Sequence, residues 1–102
     1  MPTSEKAFET RIKDYLKSKG CWHVKFFANG MTRSGVPDIL ACVNGRFVAI
    51  EVKAEKGRPS ELQLWNIEKI KESNGIAVIA YPKDWDELKR LIDELLEKEK
   101  AP

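Results

Sequence analysis

Histidine and cysteine are scarce in this chain, with His23 alone and only Cys21 and Cys42 among 102 residues. A structural zinc site needs Cys and His ligands grouped at motif spacing, and no such grouping exists here. The two cysteines read as free thiols of a reducing cytosol rather than a disulfide framework. A single histidine, with Ser34 and Ser60 lacking any evident base, argues against a serine-type triad. Gly30, Gly35 and Gly57 fall outside the GxxxxGK[ST] pattern, so no phosphate-cradling P-loop is present. No apolar run approaches the ~18–20 residues of a membrane span, and no signal-peptide pattern opens the chain. The expectation is a cytoplasmic protein with no membrane partner. Nucleophilic catalysis through a side chain is poorly supported.

What is present is an ordinary globular composition, 42% hydrophobic and 33% charged, which excludes a disordered class. The length predicts one small domain over residues 1–102. Net charge is only +2, but its distribution is uneven. Residues 1–58 carry 11 basic and 6 acidic side chains, a balance of +5; residues 59–102 carry 7 and 10, a balance of −3. A basic half of this kind suits a phosphate-bearing partner.

The pattern along the chain predicts the order α-β-β-β-α-β-α. Residues 2–19 read as a helix with an apolar stripe of Phe8, Ile12, Tyr15 and Leu16, stopped by Gly20. Cys21 to Phe27 reads as a strand and Ala28 to Gly35 as a loop. Val36 to Lys53 is a hairpin, followed by a charged turn from Ala54 to Arg58. Pro59-Ser60 opens a second helix that runs to about Ser73, with the proline near its first position. Asn74-Gly75 ends that helix. Ile76 to Tyr81 is apolar on both faces and is predicted to be a central buried strand. A third helix starts at Asp84, with an apolar stripe of Leu88, Leu91, Ile92 and Leu95. Trp22 and Trp65 are predicted to be core residues. The fold class is α/β: a mixed sheet of three antiparallel strands, with the fourth returning through a helical crossover, and helices on both faces.

The hairpin carries the most chemistry. Asn44-Gly45 fits a two-residue type I′ turn, because both residues tolerate positive φ. That turn sets Cys42 opposite Phe47, Leu40 opposite Ala49, and Asp38 opposite Glu51, all on one face. Like charges directly opposed across a sheet are destabilising, so this carboxylate pair at the end of an apolar ladder needs a reason. A divalent cation supplies one, since Mg²⁺ is typically held by one or two carboxylates together with phosphate and water. Lys53 points to the same face as Glu51, and the backbone carbonyl of Val52 is within reach. In the first helix both Glu9 and Glu5 lie close enough to the apolar stripe to lean toward the sheet. Glu5, in the first turn, also suits the helix dipole. Gln63 shares a row with Ile67 and Ile70, which leaves two readings: an amide that serves a carboxylate or a metal-bound water, or a capping amide in the first turn.

This set fits metal-assisted hydrolysis of a phosphodiester. One or two Mg²⁺ or Mn²⁺ ions at Asp38, Glu51 and Glu9 would polarise a phosphoryl oxygen and activate water. Lys53 would orient that water or offset the developing charge. Lys6, Arg11, Lys13, Arg33, Lys56 and Arg58 are candidates for contacts to flanking phosphates, which fix position without reading sequence.

Pro37-Asp38, followed by Glu51-Val52-Lys53, resembles the PD-(D/E)xK nuclease motif. The longer pattern Ser34-Gly-Val-Pro-Asp38, Glu51-Val-Lys-Ala54 and Gln63-Leu-Trp65 is similar to the stand-alone virus-type replication-repair nuclease domain (VRR-Nuc) of phages and bacteria, over about residues 5–81. The resemblance implies a restriction-endonuclease-like αβββαβ core with an added C-terminal helix. It also implies metal-dependent DNA cleavage by a helix-one Glu, Asp38, Glu51 and Lys53, with Gln63 as auxiliary. Archaeal Holliday-junction resolvases share this fold and a similar first helix; Glu9, Ile12 and Gly20 match its spacing, which favours Glu9 over Glu5. A homodimer acting on branched DNA in replication, repair or recombination follows by the same resemblance, its interface supplied by the stripe of the third helix or by a sheet edge. The competing readings are a DNA-binding or assembly module without turnover, which loss of Asp38, Glu51 or Lys53 would have favoured, and a structural protein with no affinity for DNA.

Overall fold

Ser4 caps the first helix, its hydroxyl accepting the Ala7 N–H at 3.0 Å. The computed structural model describes residues 4–27 and 34–99. Helix α1 spans Glu5–Ser18 and is followed by Gly20 at φ 72°, the left-handed residue that commonly follows a helix. Strand β1 is Trp22–Lys25, β2 Ile39–Val43 and β3 Arg46–Val52. Helix α2 is Glu61–Glu72, β4 is Ile76–Ala80, and a 3-10 turn over Pro82–Asp84 leads into α3, Trp85–Glu97.

Among the described residues, four strands lie in the order β1-β2-β3-β4. The first three run antiparallel, and β4 returns parallel to β3 after the α2 crossover. Asn44 and Gly45 sit at φ 54° and 80°, as a type I′ turn requires. The ladder they start pairs Val43 with Arg46, Cys42 with Phe47, Leu40 with Ala49 and Ile39 with Ile50. The next step in this register sets Asp38 opposite Glu51. The turn is also tied across the molecule: Asn44 Nδ2 donates to the carbonyls of Leu95 and Lys98, both at 2.8 Å, and Arg46 Nη2 donates to the Glu99 carbonyl at 3.0 Å.

Alternation divides the sheet into two faces. Ile39, Ala41, Val43, Val48, Ile50 and Val52 meet Phe8, Ile12 and Leu16 of α1 and Leu88, Ile92 and Leu95 of α3 in the larger core. Trp85 joins it, stacked edge-on against Phe8 and Tyr15. The other face is smaller: Ala49 and Ala77 pack under Ile67 of α2.

Four expectations are corrected. Strand β4 is an edge strand rather than a central one, because its apolar faces are covered by α2 and by the α1/α3 core while β3 is its one strand neighbour among the described residues. Trp22 and Trp65 are not core residues. Trp22 is 64% exposed, because α2 lies over β3 and β4 and leaves the β1–β2 half of its face uncovered, and Trp65 is about half exposed. Pro59 stands before the second helix rather than at its first position, since Ser60 is the N-cap. The α3 stripe is buried inside the chain's own core, so it offers no interface.

Candidate active site

One end of the sheet collects side chains from five elements. Strand β1 ends at Lys25, the Asp38 carbonyl accepts the Phe26 N–H at 2.8 Å just before β2 begins, and β3 ends with Glu51 and Val52, followed by Lys53. Helix α1 contributes Glu9 and α2 contributes Gln63.

The approach to Asp38 explains the Ser34–Asp38 motif. Gly35 sits at φ 79°, and a Cβ there would meet Leu62 Cγ at 2.7 Å and Asn66 Nδ2 at 2.8 Å. Only glycine satisfies both the left-handed backbone and this approach to α2. Asn66 is buried and donates to the Ser34 and Leu62 carbonyls, at 3.4 and 2.9 Å. Pro37 is fully buried. The result holds Asp38 so that its Oδ2 accepts the Val52 N–H at 2.8 Å. Val52 therefore joins the site through its amide.

Glu51 is 1% exposed. Its Oε2 accepts from Gln63 Nε2 at 2.9 Å and lies 3.4 Å from Lys53 Nζ. Its Oε1 is buried and has no hydrogen-bond partner among the described residues. Burial first, and then the Asp38 charge, push the Glu51 carboxyl up from its ordinary range to about 7, with Lys53 opposing. Such a pair stabilises itself by holding a proton or a cation.

Both sequence readings of Gln63 hold at once. Its Oε1 accepts the Ser60 N–H at 2.8 Å while the Ser60 hydroxyl accepts the Gln63 N–H at 3.1 Å, a capping box. The amide nitrogen is left to reach Glu51. The helix cap thus orients the amide on the carboxylate.

Glu9 leans toward the sheet from the edge of the α1 stripe, but it meets Asp38 only through a lysine. Lys25 Nζ lies between it and Asp38, 2.6 Å from Glu9 Oε1 and 3.2 Å from Asp38 Oδ1. Burial alone would lower the Lys25 pKa, but its hydrogen bond to Glu9 and the Asp38 charge hold it above the ordinary lysine range. Among the described residues no three Asp, Glu, His or Cys side chains converge on one point. Lys25 is the residue that sequence reasoning missed. No short turn joins β1 to β2, so nothing in the sequence set their register; its one trace is alternation, which places Lys25 on the face turned to α1.

The candidate phosphate contacts separate into groups. Lys6 and Lys13 flank Glu9 on one side of α1, with Lys13 Nζ 3.4 Å from Glu9 Oε2. Lys56 and Arg58 are exposed on the loop after Lys53, which the Tyr81 hydroxyl tethers by donating to the Gly57 carbonyl at 2.9 Å. Arg11 is turned away from Glu9, its guanidinium 5.8 Å from the Trp85 ring centroid. Arg33 lies outside the described residues. Glu5, the alternative helix-one acid, is exposed in the first turn.

A family model described as archaeal Holliday junction resolvase (hjc) matches residues 2–101, nearly the whole chain. The chain belongs to that family. No curated protein and no solved structure matches it. The resolvases are PD-(D/E)xK nucleases, so membership makes this chain a nuclease that hydrolyses phosphodiester bonds, with the Holliday junction as the family's substrate. The mixed sheet and three helices agree with the restriction-endonuclease-like fold of such resolvases. Among the described residues of this resolvase-family chain, no helix is long and apolar enough to cross a membrane.

Proposed function

We propose that the chain is a Mg²⁺- or Mn²⁺-dependent endonuclease that cuts four-way or similarly branched DNA, as one domain acting in a homodimer. The observation that carries this reading is the buried Glu51 carboxylate, one oxygen without a partner, set beside Asp38. A buried acceptor next to a like charge is unfavourable unless a proton or a cation lies between the two. Oxygen donors of this kind suit a hard divalent cation, so the residues fit one. Asp38 and Glu51 would hold it, with the Val52 carbonyl as neighbouring donor and Glu9 entering if Lys25 withdraws.

Bound there, a divalent cation would supply Lewis acidity toward a phosphoryl oxygen and lower the pKa of water. The chain's own residues do the rest. The Val52 N–H fixes the Asp38 carboxylate. Gln63 fixes one oxygen of Glu51 and leaves the other without a partner among the described residues. Lys53 presents its ammonium beside Glu51, where it offsets charge that develops on the phosphorane and orients the attacking water. Lys6, Lys13, Lys56 and Arg58 lie on the two rims as contacts to the flanking backbone, and Arg33 is proposed with them.

The Gly35-Val36-Pro37-Asp38 motif and the Gln63-Leu64-Trp65 stretch support a kinship with the virus-type replication-repair nucleases, and hence work in DNA replication, repair or recombination in a phage-infected or bacterial cytoplasm. Two nicks across a junction call for two sites, and the uncovered apolar face around Trp22 and Phe47 gives a second copy somewhere to bind.

The test is cleavage of labelled four-way junction, flap and linear duplex in Mg²⁺ and in Mn²⁺ by wild type, Asp38→Asn and Lys53→Ala. Junction cleavage that both substitutions abolish, with folding intact, supports the assignment. Junction binding without cleavage in either metal would leave a catalytically silent binding module instead.

A further inference from the structure

The Lys25 ammonium links two carboxylates from different elements, Glu9 of α1 and Asp38 at the start of β2, at 2.6 and 3.2 Å. It thereby fills the gap between Asp38, a ligand in the metal reading, and Glu9, which that reading admits once Lys25 withdraws. It also leaves the third, Glu51, with its unpartnered Oε1. A lysine head is a compact point charge on a flexible stem, so it can be withdrawn without moving the strand that carries it. Lys25 is 22% exposed at its side chain, so the way out is open. In the same position the ammonium lies 5.8 Å from the centroid of the exposed Phe27 ring.

We propose that Lys25 is an internal counter-ion, which holds Glu9 and Asp38 in place while no cation is bound and yields that place to an entering divalent cation. The proposal rests on the metal reading of the site. Its logic is electrostatic. One ammonium satisfies two carboxylates by hydrogen bonds but leaves Glu51 Oε1 without a partner. A divalent cation carries twice the charge and accepts oxygen ligands from every side. Lys25 is thus a positioning residue that sets how readily the cation enters and keeps the acids assembled beforehand.

The experiment is a calorimetric titration of Mn²⁺ without DNA into wild type, Lys25→Met, Lys25→Arg and Asp38→Asn. It is paired with acylation of lysine amines mapped by mass spectrometry, with and without Mn²⁺. The proposal expects Lys25→Met to bind Mn²⁺ several-fold more tightly than wild type, Lys25→Arg to bind no more tightly, and Asp38→Asn to lose binding. It also expects the wild-type Lys25 amine to label faster when Mn²⁺ is saturating. The labelling uses the unaltered protein and decides the matter if Lys25→Met fails to fold, since a merely structural lysine stays protected. Mn²⁺ binding that needs Asp38, with Lys25 labelling unchanged by the ion, overturns the counter-ion role and leaves the metal site standing. No Mn²⁺ binding by wild type or by Lys25→Met overturns both.

Discussion

At the scale of single residues, Glu51 gives the clearest test. Its carboxyl is pushed up to about 7 by burial and by Asp38, above the ordinary glutamate value. A carboxyl whose pKa is raised on folding favours the folded state while protonated. Its contribution is complete below the unfolded value of 4.5 and is lost as pH rises through about 7. Melting temperatures in EDTA should therefore fall for wild type across that window relative to Glu51→Gln, which cannot ionise. Added Mn²⁺ should offset the loss most at the upper end, where the ion meets no competing proton. Equal pH profiles for the two proteins would contradict the buried acidic pair. Gln63 is a second test at this scale. Gln63→Ala removes the donor that fixes Glu51 Oε2, and such outer-shell losses typically cost about 10–100-fold in metal affinity or activity. The same substitution takes away half of a capping box, so a denaturant titration has to accompany the Mn²⁺ titration to separate the two effects.

At the scale of elements, the packing of the Ser34–Asp38 segment against α2 is the most exposed to disruption. Gly35→Ala should destabilise the protein by about 2–4 kcal/mol, from left-handed backbone strain and overlap with Leu62 and Asn66. It should also lower activity by shifting Asp38, which urea unfolding and junction cleavage would measure together. This motif was legible as a pattern, but its physical reason was not, because the contact that demands glycine comes from a helix far along the chain. The hairpin was fully legible. A two-residue Asn-Gly turn fixes its own register, and register alone brings Asp38 to Glu51. Caps and stripes gave α1, α2 and α3 to within a few residues. The order of the strands was less accessible: a segment apolar on both faces looks the same whether strands or helices flank it, so β4 read as central when it lies at the edge. Lys25 escaped for a related reason. Partners 13 and 16 residues away, on elements whose register the sequence does not set, leave no local mark.

At the scale of the molecule, the uncovered half of the α2 face is the feature without an internal explanation. Trp22 is 64% and Phe47 47% exposed, with Val24 beside them on β1. Both aromatics lie away from Asp38 along their strands. In the proposed homodimer this face is the interface, so Trp22→Glu combined with Phe47→Glu should shift the sedimenting species from dimer to monomer. The monomer fold should survive, since neither ring belongs to the core. Paired nicking of a junction should fall with the dimer, while single nicks persist. A wild type that sediments as a monomer at assay concentration would refute the arrangement.

The side chain of Asn44 forms part of the turn that aligns the acids, yet it donates to the carbonyls of Leu95 and Lys98. A chain made from its N-terminus therefore completes the hairpin sequence long before the partners of that turn exist. Until α3 has left the ribosome, the register that brings the two carboxylates together lacks its distant anchor. In a chain built this way the turn sets the pairing early and α3 braces it late, so nascent chains should hold Mn²⁺ at the proposed site more tightly once α3 has folded onto the sheet.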